Sequence, residues 1–220
     1  MNGLSSGGDL ARPWRRTAQP PALAAGTCHL WWFPIGPQGP VPLVERRGED
    51  ARRLVAELDP RQLLDEGERE QAARFVFDRD RVRYVAAHVQ LRCILGAYLG
   101  MDPAALRFAQ GLHGRPLLAG PPAGRLEFNL SHSAAVALLA VAHQGPLGAD
   151  VEALREVRDW RDLAAHYFTV EEGRSLEAPG EQPERAFLRC WTRKEAALKS
   201  TGIGLSQPPR EVQVGAGPGP

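Results

Sequence analysis

Lysine is nearly absent from this chain of 220 residues. Of the 27 basic residues only two, Lys194 and Lys199, are lysines, so arginine carries almost all of the positive charge. A lysine ammonium is compact and can exchange its proton, whereas an arginine effectively never deprotonates. The two lysines stand close together in the sequence and therefore predict a local chemical task rather than a contribution to solubility.

Features that would assign the chain to several other classes of protein are missing as well. No stretch approaches the roughly 18 consecutive apolar residues of a membrane helix. A net charge of +1 supplies no field that would attract nucleic acid or an anionic membrane. Cys28, Cys93 and Cys190 are too far apart in sequence for a metal knuckle. We expect a reduced, cytoplasmic, monomeric protein that binds neither nucleic acid nor membranes.

Glycine-rich phosphate loops are also absent, since neither G-x-x-x-x-G-K-[ST] nor G-x-G-x-x-G occurs. A nucleotide must therefore be held by other groups. Ser131-His132-Ser133 has no nearby acid and lacks the glycine pattern of a nucleophile elbow. This argues against a Ser-His-Asp hydrolase.

The composition, with 43% hydrophobic and 24% charged residues, is typical of a globular protein. Residues 1–26 are rich in Gly, Pro, Ser and Ala and are predicted to form a disordered lead. Strand and helix patterns then follow in a similar order twice, with a break near Gly145. The sequence predicts an α+β fold with an N-terminal subdomain over residues 27–145 and a C-terminal subdomain over residues 146–220.

Periodicity and turn residues predict the individual elements. Val82, Val85, Val89 and Cys93 recur at helical spacing, and Gly100 ends that helix. The predicted helices cover residues 60–99, 160–167 and 184–200, with a further one that begins at the capping box Thr169–Glu172. The predicted strands cover residues 29–33, 126–131, 135–142 and 147–152, with a last short strand at Val212 and Val214.

Asp150 and Glu152 are two residues apart in a predicted strand, so both carboxylates point to one face. Two such charges repel each other and raise each other's pKa unless a cation lies between them. Mg²⁺, which prefers oxygen ligands, would satisfy them. On pair geometry alone a solvated strand end is the better explanation of the two residues.

Glu195 and Lys199 are four residues apart in the predicted last helix. An exposed pair of this kind stabilises a helix by about 0.3–0.5 kcal/mol, and that is one explanation. Leu188 and Trp191 share the same helical stripe, however, so the charges continue a line that faces the core. Charges placed there need partners or ions. Glu195 could add a third carboxylate to a metal site, and Lys199 could contact phosphate.

Ser131 and His132 could bind an oxyanion beside the end of a strand, with ordinary turn chemistry as the alternative. Arg115 lies in the rigid turn Gly114-Arg115-Pro116, where it could bind phosphate or be solvated.

Together these segments resemble the Sfp-type 4′-phosphopantetheinyl transferases, the holo-carrier-protein synthases, over about residues 28–206. The matching segments occur in the family's order: Phe75–Asp80, Gly114–Pro116, Phe128–Ser133, Gly148–Glu152, Phe168–Glu172, Trp191–Lys199 and Gly202–Leu205.

The resemblance implies two similar α+β halves related by a pseudo-two-fold axis, with coenzyme A between them. It implies Asp150, Glu152 and Glu195 as Mg²⁺ ligands, and Glu195, Lys199 and Glu152 as the catalytic residues. Ser131 and His132, with Arg115, would hold the adenosine 3′-phosphate. The group transferred from coenzyme A would be 4′-phosphopantetheine, the acceptor a serine of an acyl or peptidyl carrier protein, and the by-product adenosine 3′,5′-bisphosphate.

The sequence departs from the family pattern at two places. Gln71 stands where family members carry a basic residue, and Arg69 or Arg74 is expected to replace it in coenzyme A binding. The chain also ends soon after Ser206, so the C-terminal half is expected to be short, with an exposed sheet edge. Two alternative functions follow: a coenzyme A or carrier-protein binding module with impaired catalysis, and an unrelated metal-dependent phosphohydrolase.

Overall fold

The structure is a computed structural model that describes residues 20–36, 60–111, 114–178, 180–202 and 207–217. Most of the predicted disordered lead over residues 1–26 lies outside these ranges. So does most of the segment Gly202–Leu205 that resembles the transferase family.

The described residues form five α-helices and five β-strands, and the predicted α+β class is confirmed. The helices are α1 (Glu66–Ala73), α2 (Asp78–Leu99), α3 (Trp160–Tyr167), α4 (Val170–Ser175) and α5 (Pro183–Thr201), with 3₁₀ turns at Pro60–Leu63, Pro103–Ala105 and Pro209–Glu211. The strands are β1 (Cys28–Pro34), β2 (Arg107–Gln110), β3 (Pro116–Ala119), β4 (Glu127–Ser133) and β5 (Val136–Ala142).

The larger sheet has the antiparallel order β1-β5-β4, and β2 and β3 form a separate hairpin. In this sheet Leu139 of β5 lies opposite Trp31 of β1 and Leu130 of β4. Alternate residues of each strand point to the same face, so one face collects the large apolar side chains. That face packs with Leu91 and Leu95 of α2 in the first hydrophobic core.

The helix predicted over residues 60–99 is interrupted. A 3₁₀ turn and α1 precede α2, and the chain leaves helical geometry between Ala73 and Asp78. Arg92 of α2 is fully buried and holds α1 in place through Asp65 (2.7 Å) and Glu68 (2.6 Å). The predicted end of α2 is confirmed, because Gly100 adopts φ = 66°, which favours glycine.

The second half packs α3, α4 and α5 around another core that includes Trp160, Phe168 and Phe187. The predictions for α3, for the capping box that opens α4, and for the end of α5 at Gly202 are confirmed. Both strands predicted in this half are wrong: residues 147–152 and 212–214 are irregular. In the described part of residues 146–217 there is no β-strand, so the second sheet implied by the resemblance is not found there.

None of the helices in the described ranges is long and apolar enough to cross a membrane. All three cysteines are free thiols. Burial raises the pKa of Cys93 to about 11 and that of Cys190 to about 12, so neither supplies a thiolate nucleophile near neutral pH.

Candidate active site

The chain after β5 returns along the free edge of β4 and is attached to it by side chains. Asparagine and serine side chains on one face of β4 accept hydrogen bonds that a neighbouring strand would give to backbone carbonyls. Three backbone N–H groups donate in this way: Ala149 to Asn129 Oδ1 (3.0 Å), Val151 to Ser131 Oγ (3.4 Å) and Ala153 to Ser133 Oγ (3.0 Å). This side-chain ladder explains why residues 147–152, predicted as a strand, form no β-ladder.

The same two serines orient the two carboxylates between them. Ser131 Oγ donates to Asp150 Oδ1 at 2.7 Å, and Ser133 Oγ donates to Glu152 Oε2 at 3.0 Å. Each serine therefore holds both a backbone N–H and the adjacent carboxylate. The solvated strand end that the sequence left open does not describe Asp150, whose side chain is only 6% exposed.

Helix α5 supplies the cation of the site. Lys199 Nζ lies 2.5 Å from Asp150 Oδ1 and 3.3 Å from Ser131 Oγ. Lys199 thus pairs with Asp150 across the two elements and not with Glu195 in its own helix. The alternative of an exposed helix-stabilising pair is therefore not observed.

Gly148 allows the close approach of this segment to α5. A Cβ atom at this position would overlap the backbone of Ala196 and lie 2.5 Å from Ser200 N. Only glycine fits against the helix backbone here, and the next residues place Asp150 beside Lys199.

Glu195 is half-buried and faces the same site. Burial raises its pKa, the charge of Lys199 opposes this, and the charges of Asp150 and Glu152 raise the pKa further. The three carboxylates are therefore close enough to interact electrostatically. They do not converge into a preformed centre: no group of three His, Cys, Asp or Glu side chains in the described ranges is close enough to hold a metal ion.

One buried atom of the site lacks a partner. Asp150 Oδ2 is inaccessible to solvent and accepts no hydrogen bond, although Oδ1 accepts two. A buried carboxylate oxygen left unsatisfied is costly, and it calls for a cation or a donor. The chemistry of the donor set, three carboxylates with one orphaned oxygen, suits a hard divalent cation such as Mg²⁺, although the three side chains as placed do not form a metal centre.

Of the three arginines predicted to bind coenzyme A, all within the described ranges, Arg115 lies beside the site, whereas Arg69 and Arg74 make no contact with its residues. Arg115 donates to Lys199 O (3.3 Å), Phe128 O (3.2 Å) and Glu127 (3.3 Å), so it connects the β2–β3 hairpin with β4 and the end of α5. Arg69 donates to Leu64 O (2.8 Å), and Arg74 is exposed.

His132 is exposed and lies on the opposite face of β4 from Ser131, since neighbouring residues of a strand alternate. Loss of hydration and the positive charges of His88, Lys199 and Arg83 lower the pKa of its imidazole. Three basic side chains therefore lie near His132, although each is paired with a carboxylate: Arg83 with Asp80, His88 with Glu68 and Lys199 with Asp150.

Lys194 has a structural role that the sequence did not reveal. It is fully buried, pairs with Glu172 at 2.7 Å and donates to Pro209 O and Val212 O at 2.9 and 2.6 Å. Glu172 also accepts from Val214 N at 2.9 Å. The only signal in the sequence was the scarcity of lysine. It drew attention to both lysines but did not distinguish the structural role of Lys194 from the role of Lys199 in the site.

Comparison with known proteins identifies the family. The family model described as "4′-phosphopantetheinyl transferase superfamily" matches residues 146–218, and "4′-phosphopantetheinyl transferase, N-terminal" matches residues 58–144. The chain is 36% identical over 187 residues to 4′-phosphopantetheinyl transferase HetI of Nostoc sp., a match that covers 84% of this chain and 73% of HetI. The chain belongs to the 4′-phosphopantetheinyl transferase family. The predictions of this family and of an enzyme of this type are confirmed.

The chain is also similar to two further phosphopantetheinyl transferases. The enzyme of Bacillus subtilis is 29% identical over 163 residues, which is 73% of this chain and 67% of that protein. The enzyme of Thraustochytrium sp. is 30% identical over 154 residues, which is 64% of this chain and only 54% of that protein. The matched region thus spans about half of the latter's length.

Proposed function

We propose that this phosphopantetheinyl transferase moves 4′-phosphopantetheine from coenzyme A to a serine hydroxyl of an acyl or peptidyl carrier protein and releases adenosine 3′,5′-bisphosphate. The observation that carries the proposal is the contact of Lys199 with Asp150, beside the orphaned Asp150 Oδ2 and within electrostatic range of Glu152 and Glu195. Transfer from a diphosphate depends mainly on charge neutralisation and positioning. An ammonium beside several carboxylates suits that requirement.

Asp150, Glu152 and Glu195 would hold Mg²⁺, and the unsatisfied Asp150 oxygen supports this assignment. Bound there, Mg²⁺ would neutralise negative charge on the diphosphate of coenzyme A.

Lys199 would neutralise or protonate the departing phosphate. The side chain of Lys199 is 30% exposed, so its ammonium can exchange Asp150 for a phosphate oxygen without leaving the site. Glu195 or Glu152 would accept the proton of the attacking serine, directly or through water.

Ser131, His132 and Arg115 would contact the phosphates of coenzyme A, with Arg69 or Arg74 as the outer cation. The basic side chains near His132 support a phosphate on that face of β4. Ser131 already donates its hydroxyl hydrogen bond to Asp150. A phosphate bound at Ser131 would therefore have to replace Asp150 as the acceptor of that hydrogen bond.

Intact mass spectrometry of a carrier protein incubated with coenzyme A, Mg²⁺ and this protein tests the proposal. Mass gain of one phosphopantetheine group is expected, with a panel of carriers to identify the acceptor. Coenzyme A binding without mass gain would instead support a non-catalytic binding module, an alternative favoured by the lack of strands in the described part of residues 146–217. Coenzyme A breakdown without carrier modification would support a phosphohydrolase.

A further inference from the structure

Arg115 joins three parts of the fold through one guanidinium group. The residue immediately precedes β3, and its Nη1 donates to Lys199 O of α5 at 3.3 Å. Its Nη2 donates to Phe128 O (3.2 Å) and to Glu127 Oε2 (3.3 Å), both of which belong to β4. Arg115 and Lys199 are 84 positions apart in the sequence, so this contact fastens the end of α5 to the N-terminal half.

The carbonyl that Arg115 holds lies in the last turn of α5. Carbonyl groups of a last helical turn have no partner further along the helix, and here Gly202 N–H is the second donor to Lys199 O, at 3.2 Å. A cation at this end of a helix is favourable, because the helix dipole is negative there. Arg115 is therefore well suited to fix the end of α5.

Lys199 is held at both its backbone and its side chain. Its carbonyl is joined to β4 through Arg115, and its Nζ lies 3.3 Å from Ser131 Oγ of β4 and 2.5 Å from Asp150 Oδ1. A lysine ammonium is carried on a flexible stem, so its place in a site depends on where its backbone is held. A displacement of about 1 Å can cost an enzyme roughly 10²-fold in rate.

Most donors of Arg115 are committed to the protein. Three of the N–H groups on Nη1 and Nη2 donate to the acceptors in α5 and β4. The Nε–H is inaccessible to solvent and has no acceptor among the described residues. The contacts of this side chain thus connect parts of the protein and leave little of it for a ligand.

We propose that Arg115 is a positioning residue: it holds the last turn of α5 against β4 and thereby keeps the ammonium of Lys199 beside Asp150. This inference rests on the proposed function and deepens it. Arg115 then contributes to transfer through Lys199, and this contribution is separate from any contact between Arg115 and a phosphate.

The scarcity of lysine makes the position of Lys199 measurable without an assay of activity. Lys194 and Lys199 are the only lysines, and Lys194 is fully buried whereas Lys199 is 30% exposed. Modification of the full chain with acetic anhydride, followed by peptide mass mapping, therefore reports on Lys199. Lys194 is the internal control for an intact fold.

Arg115→Met is expected to raise the modification rate of Lys199 roughly three- to tenfold, the factor that corresponds to one net hydrogen bond, and to leave Lys194 unmodified. Arg107→Met is the matched control. Arg107 lies in β2 of the same hairpin and donates to Ala104 O (2.8 Å) and Leu106 O (2.9 Å) instead of to α5. Its replacement should leave the rate at Lys199 unchanged.

A double-mutant cycle separates positioning from direct contact with the substrate. Arg115→Met should lower kcat for carrier modification roughly tenfold in the wild-type background, because Lys199 is displaced. In the Lys199→Ala background the same change should have little further effect, since its influence passes through Lys199. A phosphate contact made equally in the ground state and the transition state would be seen in KM for coenzyme A instead.

An unchanged modification rate of Lys199 in Arg115→Met would overturn the proposal, and so would an equal loss of kcat in both backgrounds. If Lys194 is modified as well, that variant has opened the fold, and Glu127→Ala replaces it. This change removes an acceptor that orients Arg115, so the rate at Lys199 alone should rise, and an unchanged rate would again refute the proposal. Failure of the proposed function is seen separately, as absence of carrier mass gain with wild-type protein.

Discussion

Lys199 Nζ lies 2.5 Å from Asp150 Oδ1, and this contact joins the last turn of α5 to the segment attached to β4. The two residues are 49 positions apart in the sequence. Neither the helix nor the segment alone would create a site. The contact brings a cation and a nearly buried carboxylate together, and the proposed chemistry needs both charges.

Lys199→Ala should lower kcat for carrier modification by roughly 10²-fold or more, because a preorganised cation at the departing phosphate is removed. Steady-state kinetics with a carrier protein measures the change. Lys199→Arg is the control that keeps the charge while altering its shape. A silent Lys199→Ala would mean that the contact of Lys199 with Asp150 has no part in catalysis.

Asp150→Ala and Glu195→Ala should each abolish transfer while the fold remains largely intact. Both remove a carboxylate from the group that would hold Mg²⁺. Transfer rate as a function of Mg²⁺ concentration, together with the melting temperature, separates catalysis from stability. Glu184→Ala in the first turn of the same helix is the matched control. Near wild-type turnover of either site variant at saturating Mg²⁺ would refute the metal assignment.

Gly148→Ala should reduce transfer and lower the melting temperature, because the added methyl group would collide with the backbone of Ala196 and push Asp150 away from Lys199. Gly173→Ala in α4 is the control, since no heavy atom lies within 4 Å of its added Cβ. Alanine is the better helix former, by up to about 1 kcal/mol, so the control should be neutral or stabilising. Equal behaviour of the two variants would contradict the close approach at Gly148.

Lys194→Met should destabilise the protein by about 3–5 kcal/mol, because the carboxylate of Glu172 would remain buried without its ammonium. Urea unfolding of the variant measures this cost. The double variant Lys194→Met/Glu172→Leu should lose less than the sum of the single changes, since the residues are in direct contact. Additive losses would show that the two charges do not depend on each other.

The same ion pair should make the protein sensitive to acid. Burial opposes ionisation of Glu172, but hydrogen bonds from Lys194 and from the backbone of Thr169 and Val214 outweigh it and hold the pKa below the ordinary 4.5. The unfolded chain therefore takes up this proton first on acidification, and the free energy of unfolding falls as the pH drops through 4.5 and below. Urea midpoints between pH 7 and pH 3 should show a shallower decline for Glu172→Gln, and parallel curves would exclude Glu172 as the cause.

Local signals in the sequence sufficed for the start of α4 and for both ends of α5. The Thr169–Glu172 capping box, Pro183 and Gly202 each act through the backbone of neighbouring residues, so their effect is readable without the fold. The two wrong strands, at residues 147–152 and 212–214, carry the alternation of a strand. Whether an extended segment pairs through backbone or through side chains depends on its neighbour, which the segment's own sequence does not encode. For residues 147–152 that neighbour is β4, and for residues 212–214 it is the pair Lys194 and Glu172.

The sequence predicted which residues form the candidate site, but only some of the contacts between them. Spacing placed Asp150 with Glu152 and Glu195 with Lys199 as two separate pairs. In the structure Lys199 contacts Asp150 and not Glu195. This contact depends on the close approach of Gly148 to the backbone of α5. Lys194 could not be assigned, because its partners come from α4 and from the residues after α5, and only the packed fold brings them to one place.

Ser131 and Ser133 of β4 also set the distance between the two carboxylates that they hold. Ser131 and Ser133 are two residues apart in a regular strand, so their Cα atoms are roughly 6.6–6.8 Å apart. Because each serine holds one carboxylate and one backbone N–H of the neighbouring segment, Asp150 and Glu152 take their separation from β4. The strand therefore serves as a template that sets the spacing of Asp150 and Glu152 in an irregular segment. Loss of either serine hydroxyl would release one carboxylate from that spacing.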